Sequence, residues 1–246
     1  MNADDIAFIE RATLAAVAPE VLEEREGWLL PVDSGTVGRA KTAVPLRHTA
    51  CDPGAAEWIE AHYRERGSPA AFRIATSPCF DGLRRELQQR GYGAHKPTLV
   101  QIGTVQRMRN VSSQPPAECA DAPDAAWTAL FLGEGFDPVD GASRVKTLSR
   151  ARGSVYAGIR DGAEVLAGGA AAFGHGWVSV HGMRTAAGYR GQGLAGRVLA
   201  GLADAAAGRG LERVFLQVEA ANTAAQALYR RAGFTTAWCY EYWQRP

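Results

Sequence analysis

Residues 188–201 read GYRGQGLAGRVLAG, and their glycines constrain the fold more than any other feature of the chain. GQGLAG, residues 191–196, satisfies G-x-G-x-x-G. Glycines at this spacing let a turn approach an anion at the start of a helix, where unpaired amides and the helix dipole attract phosphate. In a dinucleotide-binding fold a strand ends at the first glycine, and a parallel strand tipped by an acid follows the helix. Glu219, closing RVFLQVE (213–219), imitates that acid. The surroundings do not fit. AAGYR separates the strand WVSVHGMRT (177–185) from Gly191, the preceding strands form a meander, and only 27 residues follow Glu219. Further βαβ units have no room.

The other frame is Arg190, Gly191, Gln192, Gly193, Leu194 and Ala195, an R-x-x-G-x-A pattern. Here the amides of 191–195 would hold a pyrophosphate at a helix amino end. Gly191 and Gly193 keep side chains out of the way, and Ala195 keeps the first turn slim. Leu194, Val198, Leu199 and Leu202 form the face that packs on a sheet.

The second part of the chain reads as a helix over 124–135, a strand over 154–160, an Asp161-Gly162 hairpin turn, a strand over 164–173 and a third over 177–185. The glycine turn, a Leu- and Ala-rich helix, the strand 213–219, a helix over 223–232 stopped by Gly233 and an aromatic strand over 237–243 complete it. Residues 109–125, RNVSSQPPAECADAPDA, have three prolines and no periodicity, the signature of a linker. The first part ends in a similar phrase: FRIATSPCFDGLRRELQQRGY matches FLQVEAANTAAQALYRRAGF as strand, loop, helix, glycine, aromatic. An internal repeat or the common shape of strand–helix–strand units explains this equally.

The order of meander, R-x-x-G-x-A, helix, strand and N-x-x-A-x-x-L-Y-x-x-x-G-F (Asn222, Ala225, Leu228, Tyr229, Gly233, Phe234) resembles the GNAT N-acetyltransferase superfamily over roughly residues 122–246. The first part resembles a degenerate GNAT repeat that lacks the phosphate turn and has Leu87 where the second part has Tyr229. The expectation is an α/β (α+β) protein of two GNAT-like domains, each a mixed, mostly antiparallel central sheet flanked by helices: residues 1–110, a linker 111–123, and a catalytic domain 124–246.

The resemblance implies acetyl-CoA as co-substrate and a primary amine of a small molecule as acceptor, acetylated by direct attack. A protein lysine or N-terminal acetyltransferase and a non-catalytic acyl-CoA-binding module are the alternatives. Met183 and Thr185 are placed to pair with the pantetheine amides like an added strand. Tyr229 is the family's position for the proton donor to the thiolate, or a helix-face aromatic. Asn222 binds the pantetheine arm or caps the helix from Thr223, and Ala225 lies in the same motif. His181, expected on the same strand side as Met183 and Thr185, and Glu219 are rival proton acceptors, and each has a purely structural alternative. Glu134, Phe136, Asp137 and Asp140 offer acids to a cationic amine or form a solvated loop. Trp238, Tyr240 and Tyr242 wall the pocket or fill the core.

The net charge of +1 gives no reason for binding nucleic acid. No apolar run of membrane-spanning length occurs. The acidic start, with no signal-peptide pattern, and four scattered cysteines (Cys51, Cys79, Cys119, Cys239) imply a cytoplasmic protein with reduced thiols. The histidines and cysteines lack zinc spacing, so no metal is expected. The chain is expected as monomer or homodimer.

Overall fold

A computed structural model describes residues 3–49, 52–135 and 137–246; Cys51 and Phe136 lie outside the described residues. In chain order the elements are α1 (Ala3–Val17), β1 (Val21–Arg25), β2 (Trp28–Val32), β3 (Val44–Pro45), α2 (Ala55–Glu65), β4 (Phe72–Ala75), α3 (Asp81–Gln89), β5 (Gly93–Thr104), α4 (Val105–Arg109) and β6 (Glu118–Ala120). There follow α5 (Ala125–Ala129), α6 (Pro138–Arg150), β7 (Val155–Asp161), β8 (Glu164–Gly174), β9 (Trp177–Thr185), α7 (Leu194–Ala207), β10 (Arg213–Glu219), α8 (Thr223–Arg231) and β11 (Thr235–Gln244).

Eight strands form one sheet in the order β4-β11-β5-β10-β9-β8-β7-β6, and β1-β2-β3 form a second, small antiparallel sheet. All pairings are antiparallel except β9 with β10 and the bridge between Ala43 and Phe72, which continues from β3 to β4. The two parts of the chain therefore run the same course. Each has a three-strand antiparallel meander (β1-β2-β3; β7-β8-β9), a helix (α2; α7), a strand parallel to the third (β4; β10), a second helix (α3; α8) and a last strand (β5; β11). The last strands are exchanged. β5 lies between β10 and β11, and β11 lies between β5 and β4, so swapping the two parts maps the strand order onto itself once the Ala43–Phe72 bridge joins β3 to β4 and the edge strand β6, which has no counterpart, is set aside. Neither part covers its own sheet edge; each borrows the other's final strand.

Residues 111–123, expected as a linker, are mostly exposed but are tied to the second part at the sheet edge and at α7. They supply the edge strand β6, the Ala117 amide donates to the Arg197 carbonyl at 3.0 Å, and a Cβ on Gly201 would meet the Ala117 carbonyl oxygen at 2.3 Å. The helix expected over 124–135 ends at Ala129, and the segment taken for a loop after it carries α6. The signal is local: Asp137 caps the Asp140 amide at 2.9 Å with Pro138 in the first turn, a favoured helix start.

The large sheet has two packed faces. On one, Val198, Leu199 and Leu202 of α7 meet Val178, Val180, Val214 and Leu216. On the other, Ile9 and Ala12 of α1 meet Trp177, Phe215 and Tyr240. Across that second face Glu10 and Arg73, both fully buried, form an ion pair at 2.6 Å and tie α1 to β4.

Candidate active site

β9 and β10 pair only through Val178–Val214, Ser179–Phe215 and Val180–Leu216. Beyond those residues the strands part, and the inner edges of 181–185 and 217–219 have no strand between them. The bend has a local cause. The β8–β9 register slips between Gly168 and Ala170, and Gly182 takes φ +59°, a bulge in which Gly169 leaves room for Met183. A Cβ on Gly182 would lie 2.9 Å from Leu148 Cδ1, so packing as well as φ demands glycine there.

The bulge corrects one expectation. Strand alternation put His181 and Met183 on one side, but the extra residue reverses the phase. Met183 packs with Val198 on the α7 face, whereas His181 follows Trp177 onto the α1 face.

The parted strands open a cleft of about 660 Å³. His181, Met183, Glu219, Asn222 and Tyr229 line it. Thr185, Arg190–Ala195 and Ala225 do not; Arg190 is hydrogen-bonded to Thr185, the neighbour of the lining residue Arg184, and Ala225 to the lining residue Asn222. Gly191 (φ +79°) and Gly193 (φ +78°) are both left-handed, and Gly193 opens α7. A Cβ built on either meets nothing within 4 Å, so the hydrogens of both glycines face open space at the helix amino end. A phosphate fits such a cradle, and side chains would fill it. The Arg190 Nε donates to the Thr185 carbonyl at 3.4 Å and the Gln192 amide to the Gly188 carbonyl at 3.4 Å, bonds that shape the turn.

Tyr229 is 7% exposed, edge-on to Phe234, and burial pushes its phenol up to about 12. It is a group that keeps its proton. Asn222 Oδ1 accepts the Ala225 amide at 3.1 Å, so this side chain caps α8 at the cleft's edge. Glu219 ends β10 exposed at the rim. His181 is 8% exposed; burial, with the nearby Arg39 charge, pushes its imidazole down to about 3, and its Nε2 has no partner. An imidazole that hard to protonate is a weak acceptor for an ammonium proton.

Of the acids read as facing a cationic amine or as a solvated loop, Asp140 lines the cleft, and Glu134 and Asp137 do not. Asp137 is the α6 cap, while Asp140 accepts from Thr36 Oγ1 at 2.7 Å and from Arg144 Nε at 2.6 Å. Glu134 is exposed and outside the cleft lining. The cleft carries five cations, Arg39, Lys41, Lys96, Arg144 and Arg184, against two carboxylates, Asp140 and Glu219. Arg39 and Lys41 come from the β2–β3 connection and Lys96 from β5, and no local pattern marks them. Tyr240 and Tyr242 also line the cleft, with Tyr240 donating to Gln217 Oε1 at 2.8 Å. Among the described residues no group of three or more potential ligands is placed to hold a metal, and no helix is long and apolar enough to cross a membrane. Cys79, Cys119 and Cys239 are free.

A sheet parted beside a glycine-opened helix, with a buried tyrosine on the next helix, defines a GNAT-type acetyltransferase. The family model described as "Probable histone acetyltransferase Rv0428c C-terminal" matches residues 3–243, and the chain belongs to that family. Solved structures agree. A GCN5-related N-acetyltransferase from Kribbella flavida superposes with a TM-score of 0.70 at 17% identity, covering 98% of this chain and 95% of that one. A tandem GNAT protein from the clavulanic acid biosynthesis pathway gives 0.61 at 14% identity, covering 98% and 94%. A GCN5-related N-acetyltransferase from Sphaerobacter thermophilus gives 0.58 at 18%, covering 98% and 93%. At such identities the likeness establishes the fold. None of the curated proteins compared matches this chain.

Proposed function

We propose that this protein is a cytoplasmic N-acetyltransferase that uses acetyl-CoA to acetylate the primary amine of a small molecule. The observation that carries the reading is the pairing of an open glycine cradle with a parted pair of strands leading to Tyr229. Gly191, Gln192, Gly193, Leu194 and Ala195 would bind the pyrophosphate through their amides, and Met183 and Thr185 the pantetheine arm through the backbone of the unpaired strand edge. Acetyl-CoA supplies an acyl carbon activated as a thioester.

The residues divide the remaining work by face. Val218 belongs to the α7 face, so Gln217 and Glu219 point to the α1 face, where the amine would enter. Glu219 is the group to take the ammonium proton, directly or through water. Tyr229 holds its proton on Oη on the opposite face, where a departing thiolate needs one. His181, kept neutral by burial, serves to position the acceptor.

The family description names a histone acetyltransferase, but a cation-lined cleft roofed by the β2–β3 connection suits a lysine-rich tail poorly. The first part is read as a degenerate GNAT copy. At the amino end of its α2, the Asp52 carboxylate already accepts the Gly54 amide at 2.9 Å, where a phosphate would be repelled. Beyond β3 the His48 ring sits edge-on to Phe80 and Trp238, which fill the corresponding gap. The test is calorimetric titration with acetyl-CoA and separately with NADH, followed by thiol release with a panel of amines. Binding of acetyl-CoA alone and release with an amine are expected. Binding of NADH alone overturns the reading.

A further inference from the structure

The acceptor side of the cleft contains donors without acceptors. Arg39 sits in a short helical turn, Gly38–Ala40, whose backbone is fixed: Ala40 is fully buried, Val37 is 6% exposed, and a Cβ on Gly38 would lie 2.9 Å from Tyr242. Its side chain is therefore aimed by the core. Yet Arg39 Nε is buried without a partner, and its Nη1 reaches only Gln217 Oε1 at 3.4 Å, an oxygen already taken by Tyr240. Among the described residues no carboxylate lies within ion-pair distance of Arg39. Glu10, the carboxylate whose charge it feels, is bound to Arg73 at 2.6 Å. His181, more than nine-tenths buried on the same face, also leaves Nε2 unpartnered. Buried polar groups are nearly always satisfied, and exceptions at a cleft point to a ligand. A guanidinium presents a planar fork that matches an oxyanion, and neighbouring Lys41 adds charge of the same sign.

We propose that the acceptor is a zwitterion: an amine that also carries an anionic oxygen group, carboxylate or phosphate, which Arg39 holds while the amine faces Glu219. This rests on the amine-acceptor reading and narrows it. Arg39 is then a specificity residue supplied by the first part of the chain to chemistry carried by the second. A plain polyamine or a lysine-rich peptide would meet uncompensated positive charge at that end.

The test uses matched pairs of amines: phenylalanine with phenethylamine, lysine with cadaverine, and phosphoethanolamine with ethanolamine. Each pair is read twice with the full-length protein, by thiol release at saturating acetyl-CoA and by calorimetric binding to protein saturated with CoA. The anionic members should be preferred by at least about tenfold, the scale of one charge-assisted bond. Arg39→Met should abolish that preference without changing acetyl-CoA affinity, and Arg39→Lys should keep part of it. The first two pairs against the third distinguish a carboxylate from a phosphate. Absence of preference in the panel, a preference that survives Arg39→Met, or tighter binding of a lysine-rich peptide overturns the proposal. The binding arm still decides if thiol is never released, which would instead sink the acetyltransferase reading.

Discussion

The cradle at the start of α7 makes a quantitative demand on Gly193. Its φ of +78° lies in the left-handed region, where an L side chain costs about 1–2 kcal/mol. Gly193→Ala should thus lower Tm by roughly 2–8 °C for a chain of this size. No clash adds to this, because the built Cβ meets nothing within 4 Å. That methyl would stand where the phosphate is expected. Displacing one charge-assisted hydrogen bond, worth about 1.5–3 kcal/mol, weakens acetyl-CoA binding roughly 10- to 150-fold. Gly210 supplies the control. It follows the other end of the same helix at φ +69°, also with nothing within 4 Å of a built Cβ. Gly210→Ala should share the stability loss and leave binding alone. Thermal unfolding and calorimetry on both variants separate strain from occupancy. Equal acetyl-CoA affinity in the two variants would refute the phosphate cradle.

Two further outcomes follow from burial. Tyr229→Phe keeps the ring against Phe234 and should lower turnover by about 10²-fold, the usual scale for losing a general acid, with acetyl-CoA affinity unchanged. Because burial raises this phenol to about 12, Tyr229 should add no alkaline limb to the wild-type kcat profile below pH 10, and unchanged turnover in the variant would exclude it as donor. The second concerns acid. His181 and His48 have folded pKa values lowered to about 3 and about 4 from an unfolded 6.5, so the unfolded chain binds protons first. Their contribution is intact above pH 6.5 and is lost as pH falls below it, by up to about 1.4 kcal/mol per pH unit for each histidine. Denaturant unfolding at pH 7 and pH 5 should show this fall, and His181→Gln should make it shallower; an unchanged slope would contradict the account.

The sequence showed whatever is local. The glycine turn, the Asn222–Phe234 run and the Asp161-Gly162 hairpin each carry their signal within a few residues. Two further features carry local signals as well: the lone glycine in VHGMR, which marks the bulge turning His181 away from Met183, and the Asp137-Pro138 pair that starts α6. What no local pattern contains is the meeting of distant segments. Arg39 reaches the cleft because β2–β3 folds over β10, and Lys96 because β5 pairs with it. Asp140 has one partner of each kind: Arg144 lies one turn along the same helix, a local pair, whereas Thr36 reaches it only through the tertiary fold.

That same exchange of strands decides whether the first part can be dispensed with. β5 pairs with β10 from Arg213–Thr104 to Glu219–Thr98, and with β11 from Thr235–Ile102 to Gln244–Gly93. Without it these two strands have no common neighbour, and β10, which bears Gln217 and Glu219, becomes an unpaired edge. Edges rich in Val, Phe and Leu recruit other chains, and Phe215 and Tyr240 would also lose α1. Residues 111–246 expressed alone, although they hold the glycine turn and Tyr229, should aggregate or fail to unfold cooperatively. Co-expression with residues 1–110 should restore soluble protein that binds acetyl-CoA. A soluble, cooperatively folded 111–246 fragment that binds acetyl-CoA by itself would mean that β10 and β11 can close on each other. The exchanged strand would then be an addition to a self-sufficient domain rather than part of its sheet.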